Sequence, residues 1–300
     1  MMLDASKSDI VKVGFFAIVG KPNVGKSSLI NAVVGQKVSI VSFKPQTTRN
    51  KISGIFSDEN CQLVFLDTPG FLEPDNKLSE YMVKEIKAAT IGVDAVIFVL
   101  DCTKGISQRE QQSINFYSTI APLIVVINKI DLSTYDKVYP LIQSISDSKV
   151  AKAVIPLSAT KLDNIEVLKE ACTDLSQPSV RHYDSSQFTD RSLRFMVSEI
   201  VREKILLYFE QEIPHGVGVV ITQYQDKPKV VVINAEIICN KQSHKQIIIG
   251  HNGECIKKIG IKARQDIQTL VDKKVHLDLF VKVREGWKDN NNYLNDIGYI

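Results

Sequence analysis

The chain has 300 residues, of which 44% are hydrophobic and 24% charged, and a formal net charge of +3, which fits an ordinary globular protein of about two domains. The five scattered cysteines form no Cys-x-x-Cys pair, so we expect reduced thiols and exclude a disulfide scaffold. The N-terminus has no long apolar run, so no secretory signal is expected. The most apolar stretch, IGVDAVIFVLD, is too short to span a bilayer.

Five short apolar stretches in the first half of the chain predict the strands of a sheet. They are rich in Val, Ile and Phe and lie at 15–20, 63–67, 95–101, 123–129 and 153–159. Because they are almost continuously apolar, we expect a sheet that is buried on both faces. Helical patterns lie between most of them, which predicts an α/β fold with a doubly wound, mostly parallel sheet. Ligands bind such sheets at the carboxyl ends of the strands.

A change of composition follows this part of the chain. Residues 175–187 are rich in Ser, Pro and polar side chains, which is typical of a linker. We predict a first domain at 1–178, a linker at 179–188 and a second domain at 189–300. The second domain has a helical pattern at 190–209, then two strands, a helical segment and a third strand. That order, α-β-β-α-α-β, predicts a smaller α+β unit.

A phosphate-loop motif follows the first predicted strand. GKPNVGKS, residues 20–27, matches G-x-x-x-x-G-K-[ST] between a strand and a helical pattern, which is the context that the motif requires. Main-chain amides of such a loop face the phosphates, helped by the helix N-terminus. We predict that Lys26 reaches the β- and γ-phosphates and that Ser27 ligates Mg²⁺. The residues assigned to phosphate binding are Gly20, Lys21, Pro22, Asn23, Val24, Gly25, Lys26, Ser27 and Ser28.

Two further segments are predicted to complete the metal site. Asp67 ends the second predicted strand and is expected to hold Mg²⁺ through water, while the Gly70 amide meets the γ-phosphate. The segment FKPQTTRNK, residues 43–51, is expected to become ordered with GTP. Thr48 is the first choice for its metal ligand and Thr47 the alternative. The turn residues assigned to the nucleotide site are Asp67, Thr68, Pro69 and Gly70.

The next motif predicts recognition of guanine. NKID, residues 128–131, follows an apolar strand, and Asp131 can accept hydrogen bonds from two guanine N–H groups that adenine lacks. We expect Asn128 to tie this loop to the phosphate loop and the Lys129 stem to lie along the base. A further turn, SAT, would offer the Ala159 amide to the guanine carbonyl oxygen. The residues assigned to this site are Asn128, Lys129, Asp131, Ser158, Ala159 and Thr160.

One expected catalytic residue is missing from the pattern. Small GTPases place a Gln shortly after the Asp-x-x-Gly turn, where it orients the attacking water, but here Phe71 follows Gly70. The phosphate loop resembles that of cation-dependent GTPases, in which an Asn at the position of Asn23 helps to hold K⁺ near the phosphates. Asn23 either does the same or only braces the loop. The residues assigned to catalysis are Lys26, Thr48, Asn23 and Gly70.

A G-x-x-G loop in the second half predicts an RNA-binding KH domain. It lies between two helical segments, after an apolar Ile run and before several basic residues. In KH domains such a loop lets a nucleic-acid backbone approach closely. The element order fits the prokaryotic, type II KH fold. The residues assigned to RNA binding are Gly250, His251, Asn252, Gly253, Lys257, Lys258, Lys262 and Arg264.

Taken together, these motifs resemble the Era family of bacterial ribosome-assembly GTPases from about Phe15 to Tyr299. The resemblance is carried by the segments IVGKPNVGKSSLIN, PQTTRNKISGI, DTPGF, NKID, SAT, DRSLRFMVSEIVREK, IIIGHNGECIKKIGIKARQDIQ and VHLDLFVKVREGW. It implies a P-loop GTPase domain and a KH domain, a GTP/GDP and Mg²⁺ requirement with K⁺ as a further ion, and binding of the 3′ end of 16S rRNA during small ribosomal subunit maturation. It also implies a cytoplasmic monomer with peripheral contact to the inner membrane.

Two other functions use some of the same motifs. In one, the nucleotide domain is only structural and the protein is a constitutive RNA-binding module. In the other, it is an ATP-using P-loop enzyme. The purely structural nucleotide domain is disfavoured by the presence of Lys26, Ser27, Asp67 and Asp131. The ATP-using enzyme is disfavoured by NKID.

Overall fold

The structure is a computed structural model that describes residues 10–71, 73–210 and 212–299. The expectation that the N-terminus carries no secretory signal concerns residues that lie almost wholly outside this range. The chain forms two compact units. The first comprises Met1–Ser39, Thr48–Leu72 and Val83–Asp190, and the second comprises Ile40–Thr47, Glu73–Met82 and Arg191–Ile300.

The first unit is built on a seven-stranded, mostly parallel sheet in the order β2-β3-β1-β4-β5-β6, with β7 beside the start of β1. The strands are β1 (Ile10–Val19), β2 (Ile52–Ser57), β3 (Cys61–Asp67), β4 (Ala95–Asp101), β5 (Leu123–Asn128), β6 (Ala153–Pro156) and β7 (Gln177–Val180). The helices are α1 (Lys26–Val34), α2 (Lys77–Ala89, shared between the units), α3 (Gln108–Ser118), α4 (Tyr135–Asp147) and α5 (Ile165–Leu175). The predicted α/β class is confirmed.

Strand β4 shows why this sheet has to be covered on both faces. All seven of its residues are buried. Ala95, Ile97 and Val99 belong to one hydrophobic cluster, with α1 and α5, and the alternate residues Val96, Phe98 and Leu100 belong to a second, with α3 and α4. Because successive side chains of a strand point to opposite faces, a continuously apolar strand needs helices on both sides.

Strands β2 and β7 were not predicted from the sequence. Both are antiparallel neighbours at the periphery of the parallel sheet, β2 beside β3 and β7 beside the start of β1. β7 contains Pro178 and polar residues, a composition that strands tolerate only at edges. Its last residues, 179 and 180, are also the first residues of the predicted linker. Such strands form because a neighbour offers main-chain partners, and no local apolar pattern indicates them.

The second unit contains a three-stranded sheet in the order β10-β9-β8, and one hydrophobic cluster joins these strands to most of its helices. Its helices are α6 (Leu193–Tyr208), α7 (Glu212–His215), α8 (Gln242–Ile249), α9 (Glu254–Val271) and α10 (Asn291–Ile297). Its strands are β8 (Val217–Asp226), β9 (Val230–Cys239) and β10 (Lys274–Val283). The predicted order α-β-β-α-α-β is confirmed, and the short helices α7 and α10 are additions that the sequence did not predict.

Within the described part of the chain, no helix combines the length and the hydropathy that a membrane-spanning segment requires.

Candidate functional site

The phosphate loop runs from the end of β1 to the start of α1 and depends on residues without side-chain bulk. Gly25 caps α1 with a φ of 98°, in the left-handed region, and a Cβ there would lie 2.3 Å from Asn128 Nδ2. A Cβ at Gly70 would lie 2.8 Å from the main-chain nitrogen of Pro22. Both positions therefore require glycine. The phosphate loop thus lies close to two neighbouring segments, at Asn128 and at Gly70.

Lys26 lies buried under this loop. Its ammonium donates to the carbonyl oxygens of Gly20 and Lys21, at 3.1 and 3.0 Å. Burial lowers the pKa of Lys26 to about 8, and the nearby Asp67 carboxylate partly offsets that effect. An anionic ligand would favour the charged lysine. Bound phosphates would therefore raise the pKa of Lys26 again and stabilise its charged form.

Three oxygen-bearing side chains meet beside Lys26. Ser27 Oγ donates to Asp67 Oδ2 at 2.8 Å, and Thr48 Oγ1 lies 2.8 Å from Ser27 Oγ and 3.3 Å from the same carboxylate oxygen. Among the described residues, the buried Asp67 Oδ1 has no hydrogen-bond partner. Burial raises the pKa of Asp67, against the opposing effects of Lys26 and three hydroxyls. Hydroxyl and carboxylate oxygens of this kind fit Mg²⁺.

Thr47, the alternative ligand, has a hydroxyl with partners of its own. Its hydroxyl contacts Ser42 Oγ at 2.7 Å and the carbonyl oxygen of Lys44 at 2.6 Å. The sequence also gave no sign of Ser39, a buried residue whose hydroxyl donates to Asp67 Oδ2 at 2.8 Å. Ser39 stands in no motif, and only the folded chain brings it to this carboxylate.

The NKID loop joins the phosphate loop to the SAT turn. Asn128 Nδ2 donates to the Val24 carbonyl oxygen at 2.9 Å, and Asn128 Oδ1 accepts from the Ala159 amide at 3.1 Å. The Ala159 amide, expected to meet the guanine carbonyl oxygen, is thus engaged by Asn128. Asp131 is exposed and its Oδ1 accepts from Ser158 Oγ at 2.6 Å, which orients the carboxylate that is expected to face guanine. Thr160 is exposed beside them.

The phosphate loop is also tied to α3. Lys21 Nζ donates to Ser107 Oγ at 2.7 Å and to Glu110 Oε2 at 2.9 Å. Ser107 and Glu110 form the capping box at the N-terminus of α3. Although burial acts in the other direction, hydrogen bonds from Ser107 and Lys21 hold the pKa of Glu110 below its ordinary value. This anchor was not predicted, since the partners lie far from the loop in sequence.

Phe71 points into the hydrophobic core and not toward the phosphate loop. Its ring centroid lies 5.9 Å from those of Phe98 and Tyr117, and it packs against the cluster that covers one face of the sheet. An aromatic ring in that position orients no water by hydrogen bonding. The structure thus gives a packing reason for Phe71 in place of the expected Gln.

In the second unit, residues 40–47 pack on α6. Val41 N donates to Glu203 Oε1 at 3.0 Å, and the fully buried Arg202 donates to the carbonyl oxygen of Thr47. Arg202 is paired with Glu199 at 2.5 Å, one helical turn away. These charged residues lie in the helical pattern at 190–209 but were not predicted to hold this segment. The sequence does show these charged residues among the apolar positions of a helix that is expected to be buried. Such residues are rarely buried without a partner, so they could have indicated a contact of this kind.

The G-x-x-G loop joins α8 to α9 and takes left-handed backbone conformations. Gly250, Asn252 and Gly253 have φ values of 76°, 49° and 79°. The buried face of α9 carries Ile259, Ala263 and Ile267, four residues apart. Lys257, Lys258, Lys262 and Arg264 are all exposed, as are His251 and Asn252. The structure therefore places every predicted RNA-binding side chain on the accessible part of the loop and helix.

The fold and the site define a P-loop GTPase with a C-terminal KH domain. Residues 15–129 match the family model described as 50S ribosome-binding GTPase, and residues 212–288 match the KH domain model. The chain belongs to the Era family of GTPases. The GTPase Era of Clostridioides difficile (strain 630) is 42% identical over 292 residues, covering 96% of this chain and 98% of the relative. That of Caldanaerobacter subterraneus subsp. tengcongensis is 41% identical over 291 residues, with the same coverage.

Two solved Era structures have the same fold over nearly the whole chain. One is a crystal structure of Era in complex with MgGDPNP and nucleotides 1506–1542 of 16S ribosomal RNA. The other is a crystal structure of a variant Aquifex aeolicus Era bound to GDP–AlF4⁻. Each is 36% identical, covers 96% of this chain and 99% of that chain, and has a TM-score of 0.92. The predicted family and fold class are confirmed.

Proposed function

We propose that this protein is a GTP-hydrolysing molecular switch that binds the 3′ end of 16S rRNA through its KH domain and assists maturation of the small ribosomal subunit. One observation carries the proposal. The phosphate loop, the Ser27–Thr48–Asp67 cluster and the NKID loop meet at one edge of a sheet, in a chain that also holds a basic G-x-x-G helix pair. The Era relative crystallised with MgGDPNP and 16S rRNA nucleotides supports both activities.

The residues around the phosphate loop bind and orient the triphosphate. Main-chain amides at the start of α1 face the phosphates, and Lys26 leaves the carbonyl oxygens of its own loop for the β- and γ-phosphates. Ser27, Thr48 and Asp67 would hold Mg²⁺, which neutralises charge on the phosphates when it is bound. Asp131, oriented by Ser158, accepts the two guanine N–H groups and so selects GTP over ATP.

Hydrolysis in this protein has to proceed without a Gln after the DTPG turn, because Phe71 is packed in the core. We propose that K⁺ held near Asn23 supplies positive charge close to the phosphates. Asn23 lies in the left-handed region with a φ of 66° and is half-buried within the phosphate loop. Turnover should be at least several-fold faster in K⁺ than in Na⁺ at equal ionic strength. Equal rates would leave Asn23 with a bracing role only.

The KH domain supplies the RNA-binding surface of the proposed switch. The G-x-x-G loop lets the phosphodiester backbone approach, and the exposed basic residues of α9 neutralise it. We further propose a cytoplasmic, monomeric protein with peripheral contact to the inner membrane. The domain boundaries that go with this proposal are 1–178, 179–188 and 189–300.

Two variants separate the two halves of the proposal. Lys26→Ala should lower GTP turnover by at least about 10³-fold and leave binding of a 3′-terminal 16S rRNA fragment intact. Gly253→Asp should weaken RNA binding by at least about tenfold and leave RNA-independent turnover intact, because it adds charge where phosphate approaches, at a φ that disfavours side chains. RNA binding that survives Gly253→Asp unchanged would remove the KH loop from the proposal, and wild-type protein without GTP turnover would remove the switch.

A further inference from the structure

A buried carboxylate that belongs to none of the nucleotide motifs lies beside the guanine-site lysine. Asp101 is the last residue of β4, only 3% exposed, and pairs in register with Asn128, the last residue of β5. Parallel strands end at the same edge of the sheet, so Asp101 and the NKID loop are neighbours whatever the loop conformation. In the sequence, the only sign of a role for Asp101 is its position at the end of a predicted strand.

The two oxygens of this carboxylate have different partners. Oδ1 accepts from the amide and the hydroxyl of Thr103, at 3.0 and 2.6 Å. Oδ2 accepts from Lys129 Nζ at 2.6 Å. Although burial acts in the opposite direction, the hydrogen bonds from Lys129 and Thr103 hold the pKa of Asp101 below its ordinary value. The group is therefore a carboxylate at neutral pH, fixed by Thr103 with one oxygen turned toward Lys129.

Lys129 connects this carboxylate to the phosphate loop. Its ammonium also donates to the carbonyl oxygen of Asn23 at 2.7 Å, while its main chain is left-handed, with a φ of 67°. Lys129 thus belongs to the NKID loop, which is expected to bind the base, and its side chain holds the phosphate loop by a hydrogen bond.

We propose that Asp101 is a positioning residue for nucleotide binding, which acts by holding the Lys129 ammonium against the carbonyl oxygen of Asn23. Asp101 touches no nucleotide itself. Without its charge, the partly buried ammonium of Lys129 loses its carboxylate partner and turns to water. The phosphate loop then loses one of its two ties to the NKID loop and keeps only the hydrogen bond from Asn128 to the Val24 carbonyl oxygen. This inference rests on the proposed binding of a guanine nucleotide, to which Asp101 at the end of β4 would contribute.

Asp101→Asn tests this with little change of shape. One amide cannot accept from both Thr103 and Lys129, so we expect the Kd of a fluorescent GDP analogue to rise about tenfold, or about 1.4 kcal/mol. At saturating GTP, kcat should change less than about twofold, because Asp101 contributes to binding and not to the chemical step. Asp94→Asn is the matched control. Asp94 lies near the other end of β4 and accepts only from Phe15 N among the bonds described, so its variant should bind GDP like the wild type.

A double-mutant cycle with Lys129→Met separates positioning from general loss of structure. If Asp101 acts through Lys129, Asp101→Asn should change the Kd less than about twofold in the Lys129→Met background. An equal, additive effect in both backgrounds, or an unchanged Kd in the single variant, would overturn the proposal. Should Asp101→Asn fail to fold, Asp101→Glu, which keeps the charge but displaces it, must show the same dependence on Lys129. Failure of wild-type protein to bind GDP would instead remove the proposed function.

Discussion

The buried ammonium of Lys26 predicts that nucleotide binding depends on pH. Burial lowers its pKa to about 8 in the protein without nucleotide, with Asp67 acting in the other direction. Bound phosphates favour the charged form and raise that pKa again. Below pH 8 the lysine is already protonated, so binding takes up no proton. Above pH 8 binding has to protonate it, and the affinity should fall as the pH rises.

The expected result is a GDP affinity that is constant between about pH 6.5 and 7.5 and several-fold weaker by about pH 9. Calorimetry in two buffers of different ionisation enthalpy should show proton uptake on the alkaline side. Lys26→Arg is the control, because its guanidinium stays charged throughout this range and its remaining binding should not lose affinity in this way. A wild-type affinity that stays flat to the end of the range would show that Lys26 does not titrate.

At the residue scale, the sequence indicates those site residues whose role is set by local chain geometry. Lys26 and Ser27 follow from the phosphate loop alone, because amides, lysine and hydroxyl are arranged by one strand-loop-helix unit. Ser39 and Asp101 do not. Each meets its partner only through the tertiary fold, Ser39 at Asp67 and Asp101 at Lys129. A lone Ser or a strand-terminal Asp carries no such information by itself.

At the scale of elements, α6 is the helix on which residues 40–47 depend. Arg202 is fully buried, and its guanidinium satisfies both Glu199 and the main-chain oxygen of Thr47. Glu203 on the same helix accepts from Val41 N and pairs with Lys204, which also reaches Asp266 on α9 at 2.5 Å. Removing one partner of a buried ion pair leaves the other charge buried and uncompensated.

Arg202→Ala should therefore destabilise the protein by about 3–5 kcal/mol, since Glu199 is left without its partner inside the second unit. Urea unfolding followed by circular dichroism gives the comparison. Arg194→Ala, an exposed arginine on the same helix, is the matched control and should leave the unfolding midpoint almost unchanged. Equal midpoints for the two variants would mean that the buried pair contributes nothing.

The elements that the sequence predicts are those with a strong period or a continuous apolar run. The predicted core strands correspond to β1, β3, β4, β5 and β6, because burial on both faces leaves a composition that is readable without neighbours. The missed strands β2 and β7 pair at the periphery and are interrupted by Ser, Gly or Pro, so neither shows a continuous apolar run or a clear alternation. The helix α10, seven residues long, is too short to show a clear period.

At the scale of the molecule, the chain passes between the two units beside two residues of the predicted nucleotide site. The first unit is interrupted twice, by residues 40–47 and 73–82, which belong to the second unit. One interruption ends directly before Thr48, and the other begins three residues after Gly70. Thr48 is expected to ligate the metal ion, and the Gly70 amide is expected to contact the γ-phosphate. A displacement of either residue on hydrolysis is thus passed along the main chain into segments of the second unit.

This connectivity predicts that RNA affinity depends on the bound nucleotide. The Kd of a 3′-terminal 16S rRNA fragment should differ by at least about fivefold between the GDP complex and the complex with a non-hydrolysable GTP analogue, the lower end of usual coupling between sites. By linkage, RNA should change the affinity for the analogue relative to GDP by the same factor. Fluorescence anisotropy with labelled RNA, and then with labelled nucleotide, measures both arms of the cycle.

Lys26→Ala supplies the control for this cycle, because a protein that binds no nucleotide should bind RNA equally well whichever nucleotide is added. The factor by which the nucleotide changes the RNA affinity must also equal the factor by which RNA changes the nucleotide affinity. This follows because binding free energies around a closed cycle sum to zero. Equal RNA affinities for the two wild-type complexes would show that movement at Thr48 and Gly70 ends within the first unit. The segments 40–47 and 73–82 would then connect the units covalently without transmitting the state of the nucleotide.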